Sequence, residues 1–411
     1  MTISAEQTDY TELLAKRAQA ASGATGAAFM RFSPDTVMLV AGMPDEDAFP
    51  LEALSKKAEA AILEAGKTIL QYGQPKELTE WVAGFMNKEE NLELKPENIL
   101  LTCGSSQALS LACRAFIDPG DIILVEAPSF GGALRTFRNA EAKLLEVAMG
   151  EEGMDMVALE QKLAELKAQG LRPKFIYTIP TFHNPVGVTM GLADRQRMLD
   201  LAVEYDVMIL EDDAYHGLLF EGEMPPTIFA LDERRGTGRV IHTRTFSKIL
   251  AAGWRLGWVA ASPKVVERIQ SLKDDGATNL LGSYVAYSFA KTGELEAHIE
   301  KLVNIYRQKR NRMMSALERY MPGEVQWSNP QGGFFIWLTL PENLNASTML
   351  KKAVEAKLVY LPGAGCYAEG QGGKNNIRLS FSFVKLAQID SAIHKLAELI
   401  DEEIKASKTL A

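Results

Sequence analysis

Cysteine is scarce in this chain: among 411 residues there are only Cys103, Cys113 and Cys366, an odd number with no C-x-x-C pair and no neighbouring pair of histidines. That excludes a disulfide framework and a zinc ribbon, and leaves buried thiols in a reducing compartment as the expectation. Histidine is almost as rare, and the five at positions 183, 216, 242, 298 and 394 have no metal-ligand spacing, so no metal site is expected. Positive charge is in deficit: the formal net charge is -9, and the lysines and arginines are scattered. A nucleic-acid partner is therefore not expected. No window approaches the uncharged apolar length of a membrane span, and the N-terminal MTISAEQTDYTELLAKRAQA has no apolar signal core. No membrane association and a cytoplasmic location are the expectations. Leu13, Leu14 and Ala18 are spaced for a short amphipathic helix instead. Internal repeats and low-complexity tracts are absent too.

What is present is an ordinary globular composition, 47% hydrophobic and 24% charged, with length for two to three domains. From about residue 70 to 260, short β-rich runs alternate with helical ones: ENILLTCG, SSQALSLACRAFI, DIILVEAP, GGALRTFRNA, AKLLEVAM, MVALEQKLAELKAQG, KFIYTIP, RQRMLDLAVEYD, VMILEDD, RVIHTRTF and WRLGWVAAS. This alternation is that of a mostly parallel sheet covered by helices. A charged helical run from Gly293 to about Met321 then leads into a smaller unit, with strands GGFFIWLTL, KLVYLPG and NNIRLSFSF and helices ASTMLKKAVEA and LAQIDSAIHKLAELIDEEIKA. The expected division is an N-terminal arm, 1–49, packing on the small domain; a large domain, 50–290; and the linking helix with a small α/β C-terminal domain, 291–411.

In open α/β sheets ligands bind beyond the carboxyl ends of the strands, and the polar clusters of this chain fall there. Thr245, Ser247 and Lys248, with Arg255 seven residues on, offer a lysine for a Schiff base beside hydroxyls and a cation for a phosphate. Pyridoxal phosphate carries both groups; the segment alone is equally readable as a strand end with a solvated lysine. Gly104-Ser105-Ser106 opens a helix, either as a plain N-cap or as a phosphate site. Asn184, in Phe182-His183-Asn184-Pro185-Val186-Gly187, is part of a turn or an amide donor to a ring oxygen or a carboxylate. Glu211-Asp212-Asp213 are three adjacent acids that repel unless a cation compensates. A Mg²⁺ site is the rival reading, but no phosphate-binding GxxxxGK[ST] loop accompanies it; pairing of one acid with a protonated pyridine nitrogen, with Tyr215 nearby, uses the cluster better.

Together GSSQAL, the spacing of TFHNPVG, EDDAY and TFSK, then AGWRLG and NNIRLSFS resemble the fold type I pyridoxal phosphate enzymes of the class I/II aminotransferase family, in the branch of 2-aminoadipate, kynurenine and aromatic or branched-chain aminotransferases. The resemblance spans nearly the whole chain. It implies the three-layer α/β fold of that family and pyridoxal 5'-phosphate as cofactor. It further implies Lys248 as the lysine that binds the aldehyde and moves the substrate's α-proton, and Asp212 as partner of the pyridine nitrogen. Tyr215 and Asn184 match the pair at the ring oxygen, Phe130 an aromatic stacked on the ring, and Ser105, Ser106, Thr245, Ser247 and Arg255 the phosphate cradle. Tyr72 matches a tyrosine that reaches the phosphate in the neighbouring subunit of a homodimer, or else is a core tyrosine. Arg378 matches the clamp on the substrate α-carboxylate, with Gly42 as a backbone contact near it. Glu77, Ala252 and Cys366 depart from the common pattern and bear on the side-chain pocket.

The activity implied is transfer of an amino group from an L-amino acid to a 2-oxo acid, 2-oxoglutarate being the expected acceptor, by a ping-pong cycle. The same cofactor also serves β-elimination by C-S lyases. A ligand-sensing module of a transcription regulator is a third reading, but the N-terminal segment is short for a basic DNA-binding domain. Arg31 is either a solvated side chain or a reader of a second substrate carboxylate.

Overall fold

The strand runs are apolar at consecutive positions, so both faces of their sheet must be covered. The computed structural model, which describes residues 11–20, 33–275 and 278–410, has them so. Val37–Met38 (β1) precedes the central strands Ile99–Thr102 (β2), Ile122–Ala127 (β3), Lys143–Ala148 (β4), Phe175–Thr178 (β5), Met208–Asp212 (β6), Val240–Thr245 (β7) and Gly257–Ala260 (β8). The central sheet has the order β2-β8-β7-β6-β5-β3-β4, parallel except for β8, which runs antiparallel to both neighbours. Alternate residues feed separate cores: Ile122, Leu124, Ile176 and Ile209 pack on one side, and Ile123, Val125, Phe175 and Leu210 on the other. Helices on both faces complete three layers.

Beyond residue 290, the helix Glu294–Tyr320 leads to Gln326–Trp327 (β9), Phe335–Thr339 (β10), Leu358–Val359 (β11), Leu361–Pro362 (β12) and Asn376–Ser380 (β13). Four of these form an antiparallel sheet, β12-β13-β10-β9, flanked by helices Ala346–Glu355 and Ile389–Leu410. None of the described helices is long and apolar enough to cross a membrane.

Four expectations are corrected. KLVYLPG is two strands: β11 pairs with β1, whereas β12 pairs with β13. The break falls at Tyr360, whose buried side chain donates its hydroxyl to the Ala346 carbonyl at 2.8 Å. In WRLGWVAAS the strand begins only at Gly257, because Ala252–Trp254 form a 3₁₀ turn and Arg255 takes a left-handed conformation, φ 52°. The N-terminal amphipathic helix is instead a 3₁₀ turn, Thr11–Leu13, and a short helix, Lys16–Ala20, with Leu13 and Leu14 exposed. Nor does the arm lie on the small unit alone: β1 pairs with β11 there, but Arg17 faces Glu141 of the large unit at 3.7 Å. Arg31 lies outside the described residues.

The two units meet closely at Gly187. Its φ is +85°, and a Cβ there would stand 2.5 Å from the Phe335 carbonyl oxygen of β10. Gly187→Ala is expected to cost about 1–2 kcal/mol from the left-handed backbone alone, and more from displacing β10. A thermal melt no lower than that of the wild type contradicts this docking.

Candidate active site

Strand ends converge on a cavity of about 570 Å³, a size usual for small-molecule sites. It is bordered by Ser105, Ser106 and Phe130 beyond β2 and β3, and by Asn184, Asp212, Thr245, Ser247 and Lys248 beyond β5, β6 and β7. Tyr215, Arg255, Gly42 and Arg378 complete the sequence-predicted lining. The exception is Tyr72, which lies outside the lining and is 87% exposed. Of the departures, Ala252 and Cys366 border the cavity and Glu77 does not.

The three adjacent acids escape mutual repulsion because strand alternation sends them to different partners. Glu211 accepts from the Ile228 and Phe229 amides at 2.9 Å, at the start of a helix, and from His242 Nδ1 at 2.9 Å. Asp213 accepts from His216 Nδ1 at 2.7 Å. Burial opposes its charge, yet His216 and, more weakly, Arg244 hold its carboxyl well below the usual range. Asp212 faces the cavity with hydroxyl donors only, Tyr177 at 2.9 Å and Thr243 at 3.2 Å. Among the described residues no lysine or arginine pairs with it, and burial pushes its carboxyl up to about 6.

Lys248 borders the same cavity, half-buried, its amine donating to the Gly42 carbonyl at 2.8 Å. It stands 5.9 Å from the centre of the Tyr215 ring and 5.8 Å from that of Phe334. Desolvation, then the positive charges of Arg255 and Arg378, bring the amine down to about 8. A Cβ on Gly42 would meet the Phe335 ring at 2.9 Å, so a larger residue there requires that ring to shift.

At one end of the cavity Thr245 Oγ1 donates to Ser247 Oγ at 2.9 Å, and Arg255 reaches Ser247 Oγ at 3.4 Å and the Cys103 carbonyl at 3.3 Å. Gly104, at φ +76°, makes room for that guanidinium, which a Cβ would approach to 2.7 Å. Gly104 gives no side-chain cap to helix Ser105–Phe116, whose first residues Ser105 and Ser106 border the same cavity as the hydroxyls and the cation. This is anion-binding equipment.

At the other end Arg378, on β13, is buried. One nitrogen donates to Asn184 Oδ1 at 2.8 Å, another to the Val40 carbonyl at 2.8 Å, and the plane lies 4.2 Å from the Phe335 ring centre. Its Nε has no partner among the described residues. Asn184 also donates to the Tyr215 hydroxyl at 3.5 Å. The turn carrying Asn184 is keyed from beneath. His183 Nδ1 accepts from the Val186 amide at 3.3 Å, so its Nε2 donates to buried Glu126 at 2.9 Å, which also takes the Thr178 hydroxyl and the Ile179 amide.

Sequence reasoning missed Tyr177, Thr243, Phe335 and Glu126, which support the others. Thr243 comes opposite Asp212 only through the parallel pairing of β6 with β7.

Residues 35–396 match the family model described as aminotransferase class I and II. An aromatic-amino-acid aminotransferase of Thermococcus litoralis is 40% identical over 376 residues, 90% of this chain and 89% of that protein. The crystal structure of Pyrococcus horikoshii kynurenine aminotransferase, in complex with PMP and with KYN as substrates, aligns with TM-score 0.88 at 37% identity, covering 96% of this chain and 98% of the other. The α-aminoadipate aminotransferase of Thermus thermophilus, complexed with N-(5'-phosphopyridoxyl)-L-leucine, aligns with TM-score 0.89 at 31% identity, covering 97% and 100%.

The neutral amine is the nucleophile, so its reactivity follows deprotonation. Labelling of Lys248 by a limiting amine-directed reagent, read by peptide mass spectrometry, is expected to rise with pH and level off above about 8. Surface lysines should keep gaining to above about 10; a Lys248 profile that tracks theirs contradicts the depressed value.

Proposed function

The chain belongs to the aminotransferase class I and II family and is a pyridoxal phosphate-dependent aminotransferase; we propose that it moves the amino group of an L-amino acid to 2-oxoglutarate in two half-reactions, the first oxo acid leaving before the acceptor enters. The observation that carries this reading is the meeting of Lys248, Asp212 and Arg378 in one cavity, each with unmet chemistry: an amine lowered to about 8, a buried acid with no cation, and a buried guanidinium with an unpaired Nε.

The residues present suit the cofactor. Asp212 would hold the protonated ring nitrogen, Phe130 the ring face, and Asn184 with Tyr215 the ring oxygen. Ser105, Ser106, Thr245, Ser247 and Arg255 would hold the phosphate, and Lys248 the aldehyde carbon. Bound pyridoxal phosphate supplies an aldehyde that accepts the amino group and a ring that spreads the electrons released at the substrate's α-carbon. Arg378 binds the α-carboxylate, near the Gly42 backbone, and so fixes which α-carbon bond faces Lys248. Lys248 Nζ would take the α-proton and hold it for return, and an amine brought down to about 8 can serve as base and as acid near neutral pH. Movement of residues 291–411, which carry Arg378, would shut water out. Exposed Tyr72 suits a contact with the phosphate in a second copy of the chain, and a cytoplasmic homodimer is part of the proposal.

The reading is tested by the visible absorption of the reconstituted protein before and after single L-amino acids without acceptor, with Lys248→Ala as control. The expected result is a band that requires Lys248, is discharged with one equivalent of oxo acid, and returns on adding 2-oxoglutarate. Sustained release of ammonia and pyruvate would replace transfer by elimination, and failure to form any band would overturn the reading.

A further inference from the structure

One cation of the cavity is left without work by the proposed reaction. Arg135 borders the cavity from helix Gly131–Asn139 and has no hydrogen bond or ion pair among the described residues. The other lining cations are committed: Lys248 to Gly42, Arg255 to Ser247 and Cys103, and Arg378 to Asn184 and Val40. Helix periodicity explains where it points. Ala133, Leu134 and Phe137 form the buried face, while Gly131, Gly132 and Arg135 share the cavity side.

Arg378 borders the same cavity. Cys366 lies within electrostatic range of Arg378, and its carbonyl accepts the Ser129 amide at 2.7 Å, at the foot of the same helix. A Cβ on Gly131 would stand 3.1 Å from the Gly365 carbonyl. Gly131, Gly132, Gly365 and Cys366 thus border the same cavity as the two arginines and add no bulky side chain to its lining. Burial pushes that thiol up to about 11, so it stays neutral and does not repel an anion.

We propose that Arg135 is a specificity-determining residue that binds the distal carboxylate of a dicarboxylic substrate whose α-carboxylate is on Arg378. The inference rests on the aminotransferase reading of the same cavity. It assigns the acceptor as a linear 2-oxo dicarboxylic acid and extends the donors to the matching acidic amino acids. Uncharged side chains bind in the same corridor without using Arg135.

The test uses the cofactor-loaded protein and two unreactive probes of equal length, glutarate and pentanoate, titrated by calorimetry into wild type, Arg135→Gln and Arg135→Lys. Wild type should bind glutarate the tighter. Arg135→Gln should weaken glutarate about tenfold, as for loss of one charge-assisted bond, leave pentanoate unchanged, and be partly rescued by Arg135→Lys. In the amino-donor half-reaction, kcat/KM for glutamate should fall similarly while that for phenylalanine holds. Equal losses for both probes, no loss for glutarate, or a wild type that transaminates phenylalanine yet does not prefer glutarate would overturn the proposal and leave the aminotransferase standing. A wild type without a cofactor band would overturn both.

Discussion

A carboxylate kept out of water without a cation governs this site. Asp212 is 3% exposed and held by two hydroxyls, whereas both acidic neighbours have found compensating donors. Hydroxyls orient a carboxylate but do not neutralise it, and burial of an uncompensated charge is costly. Its carboxyl is raised from 3.8 to about 6, so between those values the folded chain holds a proton that the unfolded chain has released. Stability from this group therefore falls as pH rises through that window and stays low above it, by on the order of 3 kcal/mol. A protonated ring nitrogen would supply the cation that the position lacks.

The rest of the cavity is arranged around that acid by contacts between the two units. Asn184 touches Tyr215 on one side and Arg378 on the other, so one amide couples the expected ring-oxygen position to the expected carboxylate position. The segment before residue 50 joins them as well: the Val40 carbonyl takes a bond from Arg378 and the Gly42 carbonyl takes one from Lys248. Four positive groups border the space, Arg135 among them, and Lys248 is lowered partly by Arg255 and Arg378. Anions entering at either end would relieve that repulsion, which suits a cavity meant to receive a phosphate and a carboxylate together.

Much of this was legible in the sequence because strand ends and chemistry-bearing residues are local features. The apolar runs ending in Thr102, Thr178, Asp212 and Thr245 could be read as strands, and the polar residues just past them mark the cavity. What could not be read depends on pairing between distant segments. Tyr177 sits in an apolar run and looks like core until β5 and β6 are neighbours. Glu126 likewise finds His183 only when β3 lies beside β5. KLVYLPG reads as one strand because nothing in its alternation reveals that Tyr360 turns inward to the Ala346 carbonyl. Nothing in GGALRTFRNA sets Arg135 apart, since only the tertiary fold brings the cavity beside it.

Thermal unfolding of wild type and Asp212→Asn at neutral pH, each with and without pyridoxal phosphate, tests the central claim most directly. Without cofactor, the asparagine variant should melt no lower than wild type, because the buried charge is gone while its side-chain oxygen still accepts a hydroxyl. With cofactor, wild type should gain clearly more than the variant. An asparagine variant that melts lower without cofactor and gains as much from it would contradict the account.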